Sequence, residues 1–135
     1  MSHPIEVILE HLKQHPEIVV ERSGDSIRVL PKSEKGFTVI LSAQPDSLFI
    51  VYFEMWHSEF DRWEDAFQCF MWGLSNQCRL KVTKRGDTPY KWTAESSYTG
   101  TWEFVSATGV LNFAFWKTTT EYYLQNDWVR MTPKS

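Results

Sequence analysis

The stretch SEFDRWEDAFQCFMWGLSNQ, residues 58–77, decides how the rest of the chain is read. Its large apolar side chains fall at Phe60, Trp63, Phe67, Phe70 and Leu74, in alternating steps of three and four. On a helix that spacing places all five along one face. Ala66 and Met71 widen the stripe. Ser58 followed by Asp61 resembles a capping box, with the shorter Asp in place of Glu or Gln. The spacing therefore predicts one aromatic-faced helix over residues 58–76, ending near Gly73 and Asn76. Its outer face would carry Asp61, Asp65, Gln68 and Ser75, together with Trp72, which an ordinary solvated face does not explain.

On both sides of this stretch the apolar period shortens to two, the period of strands. Upstream, Pro4 suits a first helical position and Glu6 suits the positive end of the dipole. Ile5, Ile8, Leu9 and Leu12 form one stripe, and Pro16 ends a short helix over residues 4–15. Strands follow over 18–22, 26–30, 37–41 and 48–55, broken by turn residues at Ser23-Gly24-Asp25 and Gln44-Pro45-Asp46-Ser47. The last of them is apolar on both faces except at Glu54, the pattern of a strand covered on both sides. Downstream the alternation resumes over 78–84, 90–95, 102–104, 110–116 and 122–125. Short links make neighbouring strands antiparallel. The expected class is α+β: a curved antiparallel sheet of about eight to nine strands in two blocks, packed around the helix 58–76, with the short helix 4–15 in front. Residues 1–135 are read as a single domain.

Composition narrows the function classes. Charged residues make up 23% and hydrophobic residues 42%, ordinary values for a globular chain. Seven Trp, five Tyr and nine Phe are many for this length. The first meaning of such a surplus is a thick core under a sheet; the second is an aromatic binding face. A net charge of −3 speaks against nucleic acid as the partner. The charge is uneven: residues 1–57 hold five Lys/Arg against eight Asp/Glu, and residues 78–135 hold eight against five. No apolar run is long enough for a membrane span, and the first residues do not read as a secretory signal, so a cytoplasmic protein without a membrane partner is expected. Cys69 reads as a small buried hydrophobe, and no disulfide framework is evident.

No complete catalytic motif is present. The glycines stand singly, so phosphate-cradling loops are absent. His11 and His15 have a metal-ligand spacing, but a third ligand would have to come from His3 or His57, and no metal or cofactor is expected. His57 lies among Glu54, Glu59 and Asp61, a grouping that could do acid–base work and that helix capping explains more simply. Glu95 and Glu103 could face each other across a hairpin. Arg79, Lys81, Lys84 and Arg85, with Tyr90 and Trp92 near, could hold a nucleic-acid strand, yet read better as charges guarding an edge strand. Neither cysteine and no serine has the sequence context of a nucleophile, and catalytic residues stay unassigned.

Three functions follow in order of preference. The first is a non-enzymatic binding protein that holds another protein or a second copy of itself through an exposed aromatic patch at Trp56 and Trp72, beside His57. The second is a pocket for a small apolar ligand, lined by Tyr90, Trp92, Trp102 and Trp116. The third is a hydrolase built on His57 and a nearby carboxylate. Trp56, His57, Trp72, Trp92 and Trp102 are thus the candidate binding residues. In layout alone the order of elements resembles small bacterial immunity proteins, secretion-chaperone-like folds and helix-gripping ligand-binding rolls, with no shared residue motif.

Overall fold

The computed structural model describes residues 4–112 and 114–130. The α+β class holds, with two helices and nine strands in two antiparallel sheets. Helix α1 is Pro4–Leu12, and residues beyond it form turns rather than a last helical turn. The first sheet contains β1 (Glu21–Ser23), β2 (Ser26–Val29), β3 (Val39–Gln44), β4 (Leu48–Phe53) and β5 (Trp56–Phe60), paired in that order. Helix α2, Trp63–Leu74, follows. The second sheet is built from β6 (Cys78–Arg85), β7 (Thr88–Ser96), β8 (Glu103–Gly109) and β9 (Thr119–Gln125), in the order β8-β7-β6-β9.

The central helix begins at Trp63, five residues later than the apolar spacing indicates. Residues Trp56–Phe60 instead pair with β4 as a strand, with Phe53 opposite Trp56 and Phe49 opposite Phe60. The Ser58–Asp61 capping box therefore does not form; Arg62 occupies the N-cap and makes no side-chain cap bond. A two-residue turn, Glu54-Met55, reverses the chain between Phe53 and Trp56.

That turn contains an avoidable strain. Glu54 has φ of 53°, a left-handed conformation that costs an L-residue about 1–2 kcal/mol and costs glycine almost nothing. Burial also raises the Glu54 carboxyl above its ordinary range, so the fold favours the neutral form. A raised carboxyl contributes stability at low pH and loses it as pH rises through the folded value. Glu54→Gly removes both penalties. It is expected to raise stability by about 1 kcal/mol, with more of the gain at neutral than at acid pH. Urea melts at the two pH values check this, and an unchanged or lowered midpoint in both would refute it.

One buried cluster runs through the molecule. It takes Ile5 and Ile8 from α1, Ile27, Val29, Val39, Leu41, Val51 and Phe53 from the first sheet, Phe70 and Leu74 from α2, and Leu80, Val82 and Ala94 from the second sheet. Helix α2 lies against β3 and β4 and also touches β6. Only one face of β4 is fully covered: Phe49, Val51 and Phe53 are buried, while Leu48, Ile50 and Tyr52 are half-buried. Strand β6, read from its charges as an edge, is central, with β7 on one side and β9 on the other. Residues 110–116, read as a strand, contain none among the described residues. The strand order requires this segment, residues 110–118, to cross from one edge of the second sheet to the other past the β6–β7 turn. Val110 N donates to the Tyr90 carbonyl at 2.8 Å and Gly86 N donates to the Thr118 carbonyl at 2.9 Å, fastening both ends of this strap.

Candidate functional site

The expected aromatic patch at the start of the helix is mostly interior. Trp56 is 2% exposed and stacks on Phe53 at 4.5 Å between ring centres. Its indole Nε1–H donates to Ser106 Oγ at 2.9 Å, tying β5 to β8. Trp72 is half-buried, lies edge-on to Trp56 at 6.4 Å, and donates to the Gln77 carbonyl at 3.2 Å. A buried aromatic with a partner for its N–H has the form of a core residue. The exposed patch expected at Trp56 and Trp72 is thus replaced by a cross-sheet stack that joins the two sheets.

His57 is exposed. Its ring lies 5.9 Å from that of Tyr52, and Nδ1 is 3.5 Å from the Met55 carbonyl. No carboxylate among the described residues stands within ion-pair range of it, and Glu54, Glu59 and Asp61 do not converge on it. Glu95 binds Arg79 Nε at 2.6 Å, whereas Glu103 accepts a hydrogen bond from Thr99, so the two carboxylates hold separate partners. The His11 ring packs on Trp63 and Phe67 at 5.5 and 5.7 Å, and His15 lies 3.6 Å from Glu17. Both thiols are free, and burial pushes Cys69 up to about 12 and Cys78 well above the usual thiol range. At neutral pH both are protonated, which leaves them poor nucleophiles.

The four aromatics proposed for a pocket do not share a cavity. Trp92 pairs with Val82 on the inner face of the second sheet and packs against the core. Trp102 stacks on Arg79, an outer-face residue, at 4.5 Å. Tyr90 lies against Arg85 at 4.9 Å, and Trp116 is 80% exposed on the strap.

The second sheet presents the surface that calls for a functional account. Twelve large apolar side chains are exposed among the described residues; Val19, Leu30 and Met55 belong to the first half of the chain. The other nine lie between Tyr98 and Tyr123. They include Phe104 and Val105 of β8, Leu111, Phe115 and Trp116 of the strap, and Tyr123 of β9, which lies opposite Lys81 on the outer face; Tyr122, opposite Val82, points to the other face. Two sequence signals pointed here: the apolar density of residues 110–116 and the basic run of β6. Neither distinguishes surface from core, because exposure is set by the crossing of the strap and by the pairing of β9.

Charges divide this surface into two regions. At one end Arg79 is held by Glu95 and sandwiched between Trp102 and Tyr123, with the latter ring at 4.1 Å. Lys81 lies 3.9 Å from Glu95 and 3.5 Å from Glu121. This part of the outer face is electrostatically self-satisfied. At the other end, around the β6–β7 turn, Lys84, Arg85, Lys91 and Lys117 have no carboxylate within ion-pair distance among the described residues. No described helix is long and apolar enough to cross a membrane. No family model matches the chain, and neither a curated protein nor a solved structure is significantly similar to it.

Proposed function

We propose that this chain is a non-enzymatic binding protein that holds another protein against the outer side of its second sheet. The observation that carries this reading is the gathering of exposed apolar side chains between Tyr98 and Tyr123, in contrast to the first sheet. Contiguous exposed apolar surface is rare on a protein that acts alone and common where a partner covers it. The mixture here, with Tyr, Trp and Phe beside neutralised Arg and Lys, has the composition of interface cores. A pocket for a small apolar ligand finds less support, because Trp92 and Trp102 lie on opposite faces of the sheet.

The test uses affinity capture from the native host with two baits, the natural chain and Phe104→Ser/Tyr123→Ser. Both side chains are largely exposed, so the variant is expected to keep its fold, as circular dichroism would verify. A stoichiometric protein retained by the natural chain and reduced at least about tenfold by the variant is the expected result. Equal capture by both baits, or a tightly retained small molecule in place of a protein, would overturn the reading.

A further inference from the structure

Building on that reading of the second sheet, we infer that the pole formed by the β6–β7 turn and the strap recognises an acidic, apolar segment of the partner protein. Three observations converge there. First, Lys84 and Arg85 end β6, Lys91 lies opposite Thr83 and beside Gly109, and Lys117 packs against Gly86. None of these four cations is ion-paired among the described residues; the acids near them are Asp87 in the turn and Glu121, which lies opposite Thr83 and is turned to Lys81. Second, the Arg85 guanidinium lies between the Tyr90 ring at 4.9 Å and the Phe115 ring at 4.7 Å. Its Nε is buried and has no hydrogen-bond acceptor. Aromatic plates orient a guanidinium and leave its in-plane donors free for a carboxylate. The terminal nitrogens of the same guanidinium are not buried in this way, and they carry the donors that an arriving carboxylate can reach. Third, the strap beside it holds Leu111 at 86% and Trp116 at 80% exposure.

The chemistry of the occupant follows from this arrangement. A ligand that satisfies both halves carries carboxylates for the cations and an aliphatic or aromatic side chain for Leu111 and Trp116. Single-stranded nucleic acid fits less well. It needs a continuous basic track with free stacking plates. Here Arg79 and Lys81 are already neutralised, so the track stops after the pole, and Tyr90 and Phe115 are occupied by Arg85. Uncompensated positive charge at one pole of a chain of net charge −3 makes its charge distribution asymmetric, and that asymmetry turns the pole toward an acidic partner during encounter.

The test measures binding of a labelled synthetic peptide of alternating Asp/Glu and Leu/Phe to the full chain, by fluorescence anisotropy. Its counterparts are the same peptide with Lys for each acid, a short single-stranded DNA oligonucleotide, and phosphatidylserine-containing vesicles. The acidic peptide is expected to bind, to weaken as salt rises, and to lose about tenfold or more with Arg85→Gln and again with Leu111→Ser/Trp116→Ser. Arg85→Lys, which keeps the charge and loses the planar fork, is expected to fall between. Equal binding to the natural chain and Arg85→Gln refutes the inference, as does tighter binding of the Lys peptide, the oligonucleotide or the vesicles. Should a captured partner depend on Phe104 and Tyr123 but not on Arg85, this inference fails while the protein-binding reading survives.

Discussion

Asn126→Ala is expected to destabilise the fold by about 3–5 kcal/mol. Asn126 follows β9 and is 3% exposed. Its Oδ1 accepts from Phe37 N at 3.1 Å. Its Nδ2 donates to the Phe37 carbonyl and to the Gly73 carbonyl, each at 3.0 Å. Alanine would strand one buried N–H and two buried carbonyls, at roughly 1–3 kcal/mol each before any water enters. The Gly73 carbonyl is one of the unpaired acceptors that every helix leaves at its end. Its neighbour Leu74 is capped as remotely: Trp128 N and Val129 N both donate to the Leu74 carbonyl, at 3.0 and 3.2 Å. Asn126→Asp is expected to be poor too, since an ionised oxygen would face two carbonyls. Its carboxyl would be raised, so that variant regains stability as pH falls. Urea denaturation followed by Trp fluorescence measures both; a loss under about 1 kcal/mol for Asn126→Ala would contradict the network.

Gly73→Ala sets two effects against each other. In a helix interior alanine is favoured over glycine by about 1 kcal/mol. Here a methyl group at residue 73 would stand 2.3 Å from Phe53 Cε1 and 2.5 Å from Cζ. Phe53 has no room to yield. It is fully buried, stacked on Trp56 at 4.5 Å, and tilted against Phe37 at 5.3 Å and Trp72 at 5.6 Å. Overpacking of this kind costs about 1–3 kcal/mol, and more when the neighbour is locked. The clash is expected to win, with a net loss of about 2 kcal/mol. A double-mutant cycle with Phe53→Leu should recover part of it, because the smaller side chain opens the space. A rise in melting temperature for Gly73→Ala alone would show that α2 can move off β4.

Much of the architecture was legible in the residue periods, and the exceptions have physical causes. The α+β class, the two blocks and the dividing helix all follow from a switch between periods of two and about 3.6. The start of α2 was hidden by a coincidence. Trp56, Phe60, Trp63, Phe67, Phe70 and Leu74 continue the helical spacing without a break, while Trp56, Ser58 and Phe60 also satisfy strand alternation. The Glu54-Met55 reversal decides for the strand by setting Trp56 opposite Phe53. Residues 110–116 have strand composition, yet the described residues between β8 and β9 form no strand, since those two strands lie at opposite edges of their sheet and must be joined across it. Residue type does not tell a buried tryptophan from an exposed one. Trp56 has the sequence context of a surface residue and lies in the core, while Phe104, Leu111 and Tyr123, which nothing in the sequence marks as a surface, are exposed. The basic run on β6 reads as an edge because its second neighbour, β9, lies about forty residues away in the chain.

The remote capping of α2 has a consequence for the order in which the molecule can be made. Residues 126–129 leave the ribosome after every element they hold: the loop at Phe37, the end of α2 and, through a parallel bridge between Ser75 and Val129, the link to β6. A nascent chain paused before Asn126 has synthesised both sheets and the helix but lacks the groups that close the helix end. Its first half cannot lock vectorially as it emerges. Assembly of this domain is therefore delayed until residues 126–129 have emerged, and the interval before then is when Phe37 and Leu74 are open to chaperones or to misassociation.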